Sequence, residues 1–157
     1  MSSKPDRTSV LTEEQKDMLF FIYQEEKVAR DVYITLGKMY KNENTFRSMQ
    51  ITEQRHLECA KELCDIYGVD TSSMDESVIG AFESPLLKML YDAYIEKGKS
   101  SLRDALEMAE FIGASDTEMI EHASIGMPND VVSVYEKLKK GNMNRPDTYE
   151  AVIYTAA

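Results

Sequence analysis

The sequence predicts an all-α protein, an up-and-down four-helix bundle with one additional short helix. Three observations point there. Apolar residues recur three and four positions apart over several stretches longer than three turns, which is helical spacing. Start and stop signals for helices bracket those stretches, and no segment sustains the alternation of a half-buried strand. The composition, 43% hydrophobic and 29% charged with 7 Gly and 4 Pro in 157 residues, suits one packed domain rather than a disordered chain.

Residues 1–10 (MSSKPDRTSV) read as a flexible N-terminal arm, and 11–157 as a single helical domain. Thr12-Glu13-Glu14-Gln15 has the form of a capping box, in which hydroxyl and amide satisfy early backbone groups. The first helix follows to about Tyr40, with Met18, Ile22, Ala29, Tyr33 and Leu36 at helical spacing. Lys41-Asn42-Glu43-Asn44 is a polar turn, after which Asn44 or Thr45 caps the second helix. That helix carries a seam through Phe46, Met49, Glu53, His56, Ala60 and Leu63 and stops at Gly68. Val69–Glu83 reads as connection. Ser84 as cap and Pro85 in the first turn start a short helix that ends near Gly98. Ser100 or Ser101 opens the third long helix, with Leu102, Ala105, Ala109 and Ile112 on one side. Gly113 weakens it, and Ser115 or Asp116 is placed to cap a continuation to about Ala123. Gly126–Asp130 turns into the last long helix, whose buried side is Val131, Val134, Tyr135 and Leu138; Pro146 forces a kink or restart.

The net charge of −10, from 28 acidic and 18 basic residues, argues against nucleic acid or an anionic membrane surface as partner. No apolar run approaches the ~20 residues of a membrane span, and Met1–Val10 is too polar for a secretion signal. Cys59 and Cys64 are separated by roughly 140° around one helix axis, so two buried reduced thiols are expected, in keeping with a cytoplasmic protein. The 10 Met read as core filler. With only two His and no glycine-rich phosphate loop, hydrolase triads and nucleotide sites find little support.

The chemistry lies in polar residues placed on apolar seams. Glu26 shares a face with Ile22, Ala29 and Tyr33, and Glu53 and His56 take consecutive seam positions in the next helix. A carboxylate in a bundle core is costly unless it is paired or bound to a cation. Glu-x-x-His sets an oxygen and an imidazole nitrogen one turn apart, as in bundles that bind two metals. The competing readings are a hydrogen-bonded core pair for Glu53 and His56, and a buried salt bridge from Glu26 to Arg30. Glu118 and His122 read as a surface pair, and Glu136 as a solvated acid off the seam.

Glu26-x-x-Ala29-x-x-x-Tyr33 followed by Glu53-x-x-His56 is similar to the first half of the rubrerythrin and ferritin-like superfamily. More closely, the runs Glu25–Tyr33 and Thr52–His56 resemble an uncharacterised prokaryotic ferritin-like family, a domain of unknown function. Ser101–Leu106 and Val134–Leu138 extend the likeness, so that it covers roughly Leu11 to Asn144. The resemblance implies a ferritin-like bundle with a di-iron or di-manganese carboxylate centre and redox chemistry of oxygen or peroxide. Two departures stand out. The related proteins carry a glutamate pair where this chain reads Gly113-Ala114, and a histidine where it reads Arg145. The expected metal ligands are therefore Glu26, Glu53 and His56, with Glu110 or Asp116 completing a partial site for iron or manganese. The alternative is a metal-free helical interaction module. There Arg145, which keeps its proton and cannot ligate a metal, replaces the metal's charge. A homo-oligomer, a dimer, is the expected assembly.

Overall fold

Five helices build residues 10–143, the part of the chain that the computed structural model describes: α1 (Glu13–Met39), α2 (Thr45–Ile66), α3 (Pro85–Gly98), α4 (Leu102–Ser124) and α5 (Asn129–Met143). No strand occurs among the described residues. The capping box at α1 forms as expected: Gln15 N donates to Thr12 Oγ1 at 3.1 Å, and Thr12 N donates to Gln15 Oε1 at 2.9 Å. At α2, Asn44 sits at the cap position without a side-chain bond, and Glu43 Oε1 instead accepts from Thr45 N and Oγ1 at 3.2 and 2.6 Å. Ser84 and Pro85 start α3 as the sequence predicts.

The break expected near Gly113 does not occur. α4 runs through it without interruption, and Asp116 is a buried mid-helix residue rather than a cap. One glycine costs a helix about 1 kcal/mol, less than burying Ile112 and Ile120 on either side returns. A Cβ built on Gly113 meets no heavy atom within 4 Å. Gly113→Ala is therefore expected to stabilise the protein by about 0.5–1 kcal/mol, read as a higher denaturation midpoint.

The core falls into two apolar clusters stacked along the helix axes. One joins Leu19 and Tyr23 of α1 to Leu57 and Leu63 of α2, Ile120 of α4 and Tyr135 of α5. The other joins Val32 and Leu36 of α1 to Phe46 of α2, Leu87 of α3, and Ala105 and Leu106 of α4. α1 starts in the first cluster and ends in the second, whereas α2 and α4 do the reverse, so both run antiparallel to α1. α5 starts in the first cluster and runs with α1. Around the core α1 packs on α2, α2 on α5, α5 on α4 and α4 on α1, with α3 against α1 and α4. No helix among the described residues is long and apolar enough to cross a membrane.

The connection between α2 and α3 is bound to α1 by charged side chains. Lys27 Nζ donates to the carbonyls of Val78 and Ala81 at 2.8 and 2.9 Å, and Asp31 Oδ2 accepts from Gly80 N at 3.0 Å. Gln24 Oε1 accepts from Ser84 N, and both Tyr23 and Arg30 donate to Glu76. Lys27 and Asp31 are fully enclosed and paired at 2.6 Å, and the ammonium lies 4.5 Å from the centre of the Phe82 ring. This strap closes the side of α1 that amphipathic spacing assigns to solvent, and residues 22–33 are all buried.

Candidate metal centre

A polar layer separates the two apolar clusters. Glu25 and Glu26 enter it from α1, Glu53 and His56 from α2, Asp116 from α4 and Asn142 from α5, and each is buried. Helix spacing explains the convergence. In α1, residues 25 and 26 fall between Tyr23 of one cluster and Val28 of the other; in α2, Glu53 and His56 fall between Met49 and Leu57. His56 Nδ1 lies 3.5 Å from Glu26 Oε2 and 3.3 Å from Glu53 Oε2. Glu26, Glu53 and His56 each bring a ligand atom within 4.8 Å of the others, and Glu25, Glu26 and Asp116 do the same. Glu26 belongs to both groups.

Of the expected ligands, Glu26, Glu53, His56 and Asp116 are thus brought together. Glu110 is not: it is half-buried and joins neither group. Six residues along a helix turn through 600°, so Glu110 lies roughly 120° around α4 from Asp116. The competing reading of Glu26, a bridge to Arg30, is not formed, because Arg30 pairs with Asp31 and Glu76. Arg145 and Pro146 lie outside the described residues. Glu25 and Asn142 were not foreseen. Glu25 precedes the seam residue Glu26 by about 100° of helix, and its only signal was a second acid beside the first.

The imidazole is pressed against α5, where a Cβ on Gly141 would stand 2.5 Å from His56 Nε2. On its other side, both oxygens of Glu26 and Nδ1 of His56 are buried without a hydrogen-bond partner, as are Glu25 Oε2 and Asp116 Oδ1. Burial, then the neighbouring acids, hold the carboxyls of Glu25 and Glu26 well above the usual carboxylate range, with Asp116 the largest neighbour in both cases. Burial raises Asp116 as well, against the hydrogen bonds around it. Such a group keeps a proton or takes a cation.

That choice has a pH signature. A carboxyl whose folded pKa lies above its unfolded value of about 4 binds more protons folded than unfolded, so stability falls as pH rises past that value. The denaturation midpoint of metal-free protein is therefore expected to drop as pH rises above about 4, with Glu25→Gln reducing the slope. Both cysteines are free, Cys64 buried and Cys59 only half-buried. Burial pushes the Cys64 thiol up to about 12, which leaves it a neutral core group rather than a ligand.

Residues 15–155 match the family model described as Uncharacterized protein domain (DUF2202). The chain is 36% identical over 135 residues to the Uncharacterized protein MJ0754 of Methanocaldococcus jannaschii, a match covering 85% of this chain and 72% of the relative. A solved structure, the crystal structure of hypothetical protein MJ0754 from Methanococcus jannaschii DSM 2661, superposes with a TM-score of 0.90 at 32% identity. That superposition covers 98% of this chain and 86% of the other.

Proposed function

We propose that this chain, which belongs to the DUF2202 family of uncharacterized domains, is a ferritin-like protein that binds iron or manganese through Glu26, Glu53 and His56. The observation that carries this reading is Glu26: fully buried, with no hydrogen-bond donor on either oxygen, and 3.5 Å from an imidazole nitrogen equally without a partner. Two atoms bonded at about 2.1 Å to one ion stand roughly 3.0–3.4 Å apart, close to the 3.3 and 3.5 Å from His56 to the two glutamates. Ligation through Nδ1 requires the imidazole proton on Nε2, toward α5. The topology supports the reading too. Two antiparallel pairs, α1 with α2 and α4 with α5, are joined by a long crossover carrying α3, the connection of ferritin-like bundles.

Bound there, such an ion supplies one-electron redox chemistry for oxygen or peroxide. The chain's own contribution is charge, orientation and dryness. Glu26 and Glu53 bring negative charge, His56 brings a neutral nitrogen donor, and the apolar clusters on both sides keep bulk water out. Elemental analysis of protein purified without added metal tests the proposal. Iron or manganese near one equivalent or above, with the His56-dependent equivalent lost in His56→Ala, is the expected result. Metal-free protein whose stability is unchanged by chelator would favour the metal-free interaction module instead.

A further inference from the structure

α3 carries two apolar stripes where a surface helix needs one. Leu87 and Tyr94 form the first and are buried in the second apolar cluster. Leu86, Met89, Leu90 and Ala93 form the other, at the i, i+3, i+4, i+7 spacing of a single helix face. Leu86 and Met89 are 55% and 68% exposed, Ala93 is exposed and Leu90 half-buried. On the neighbouring α4, Phe111 is 56% exposed and sets its ring edge-on to Tyr94, with centres 6.3 Å apart. The apolar surface thus continues from α3 onto α4. Exposed apolar residues that stand singly need no explanation, but a contiguous face of this kind marks an interface.

We infer that a second copy of the chain covers this face, with α3 packed antiparallel on α3 about a two-fold axis between Met89 and Leu90. Charge sets where copies can meet. A chain of net charge −10 repels its own copy, except where that charge is neutralised. On α3 and at its end Lys88 pairs with Asp92 at 2.9 Å, Lys99 with Glu96 at 2.6 Å and Lys97 with Asp104 at 3.8 Å. The stripe is also its own complement, as a two-fold interface requires. The axis sets Leu86 of one copy opposite Ala93 of the other, large against small, and Met89 opposite Leu90. At each end of the seam it brings Glu83 of one copy within one residue of Lys97 of the other. Glu83 is exposed and, among the described residues, forms no ion pair, while Lys97 at 3.8 Å from Asp104 has room for a second acid.

A seam one helix wide, flanked by Phe111, is smaller than the roughly 800 Å2 per partner of a standard interface. The dimer is therefore a reversible one. It requires no metal, so it stands apart from the centre on Glu26, Glu53 and His56.

Sedimentation equilibrium of the full-length protein, from micromolar to millimolar concentration, tests the inference. Wild type is expected to show a monomer–dimer equilibrium. Met89→Asp places an unpaired charge in the seam twice and is expected to weaken the dimer at least ~100-fold. Circular dichroism and the thermal melt of its monomer should match wild type, because Met89 lies outside the core. Glu83→Lys and Lys97→Glu are each expected to weaken the dimer about threefold or more. The double variant should restore it, since the exchanged charges still meet across the seam. Within one chain the two positions lie about 21 Å apart along α3, too far to pair, so rescue reports contact between copies. Monomer at every concentration, the outcome if residues 144–157 or an unrelated protein cover this face, would overturn the inference. A dimer that withstands Met89→Asp would overturn it too, as would charge variants that the double variant does not rescue.

Discussion

Lys27→Met is expected to cost the fold about 3–5 kcal/mol, the range for breaking one side of a buried ion pair. Lys27 and Asp31 are fully enclosed, and the same ammonium satisfies two carbonyls of the α2–α3 connection. Burial pulls the Lys27 ammonium below its usual pKa, against the opposing pull of Asp31. The pair is thus a costly arrangement whose partners depend on each other. With the lysine gone, Asp31 keeps Arg30 but loses its closest cation, and Val78 and Ala81 lose a donor. Chemical denaturation measures the loss, and hydrogen exchange should rise across residues 75–83. The double variant Lys27→Met with Asp31→Asn should recover part of the stability, since it removes the stranded charge. A single variant as stable as wild type would show that the strap does not depend on the buried pair.

Gly141→Ala should destabilise the protein by about 1–3 kcal/mol, the cost of overpacking, and weaken the His56-dependent metal equivalent by at least ~10-fold. Helix propensity alone argues the opposite, since alanine for glycine within a helix gains about 1 kcal/mol. Packing decides the sign. At Gly141 the added Cβ would stand 2.5 Å from His56 Nε2 and 2.8 Å from Cε1, and the imidazole is 6% exposed with little room to retreat. At Gly113 the same change meets open space. Opposite signs at two helical glycines, read by thermal melts of the two variants, separate contact from propensity. If both alanines stabilise the protein and metal binding survives, the imidazole is not seated against α5.

What the sequence made legible depended on whether a signal was local. The capping box at Thr12 and the stop at Gly68 were readable because both involve neighbours within one turn. Glu26, Glu53 and His56 were readable because a polar residue on an apolar seam conflicts with its surroundings. The conflict marks a position the fold must resolve by pairing or ligation. Glycine at 113 misled, because tertiary burial on either side outweighs a small propensity cost. Glu25 was hidden because a helical wheel assigns neighbouring residues to different faces, and only a helix enclosed on all sides buries both. That enclosure comes from the strap, whose anchors join Lys27 to carbonyls 51 and 54 residues away. Backbone acceptors carry no side-chain signature, so no spacing rule could have found them. Asn142 was missed for a related reason, since an amide at the end of a helix signals nothing until Asp116 is placed beside it.

Crystals of the full chain grown with Mn2+ and measured at the manganese absorption edge test the centre most directly. An anomalous peak within bonding distance of a Glu26 oxygen and of His56 Nδ1 is the expected result. Ordered crystals without such a peak, with a proton or a lysine or arginine side chain satisfying Glu26, would contradict a metal centre at this layer of the bundle.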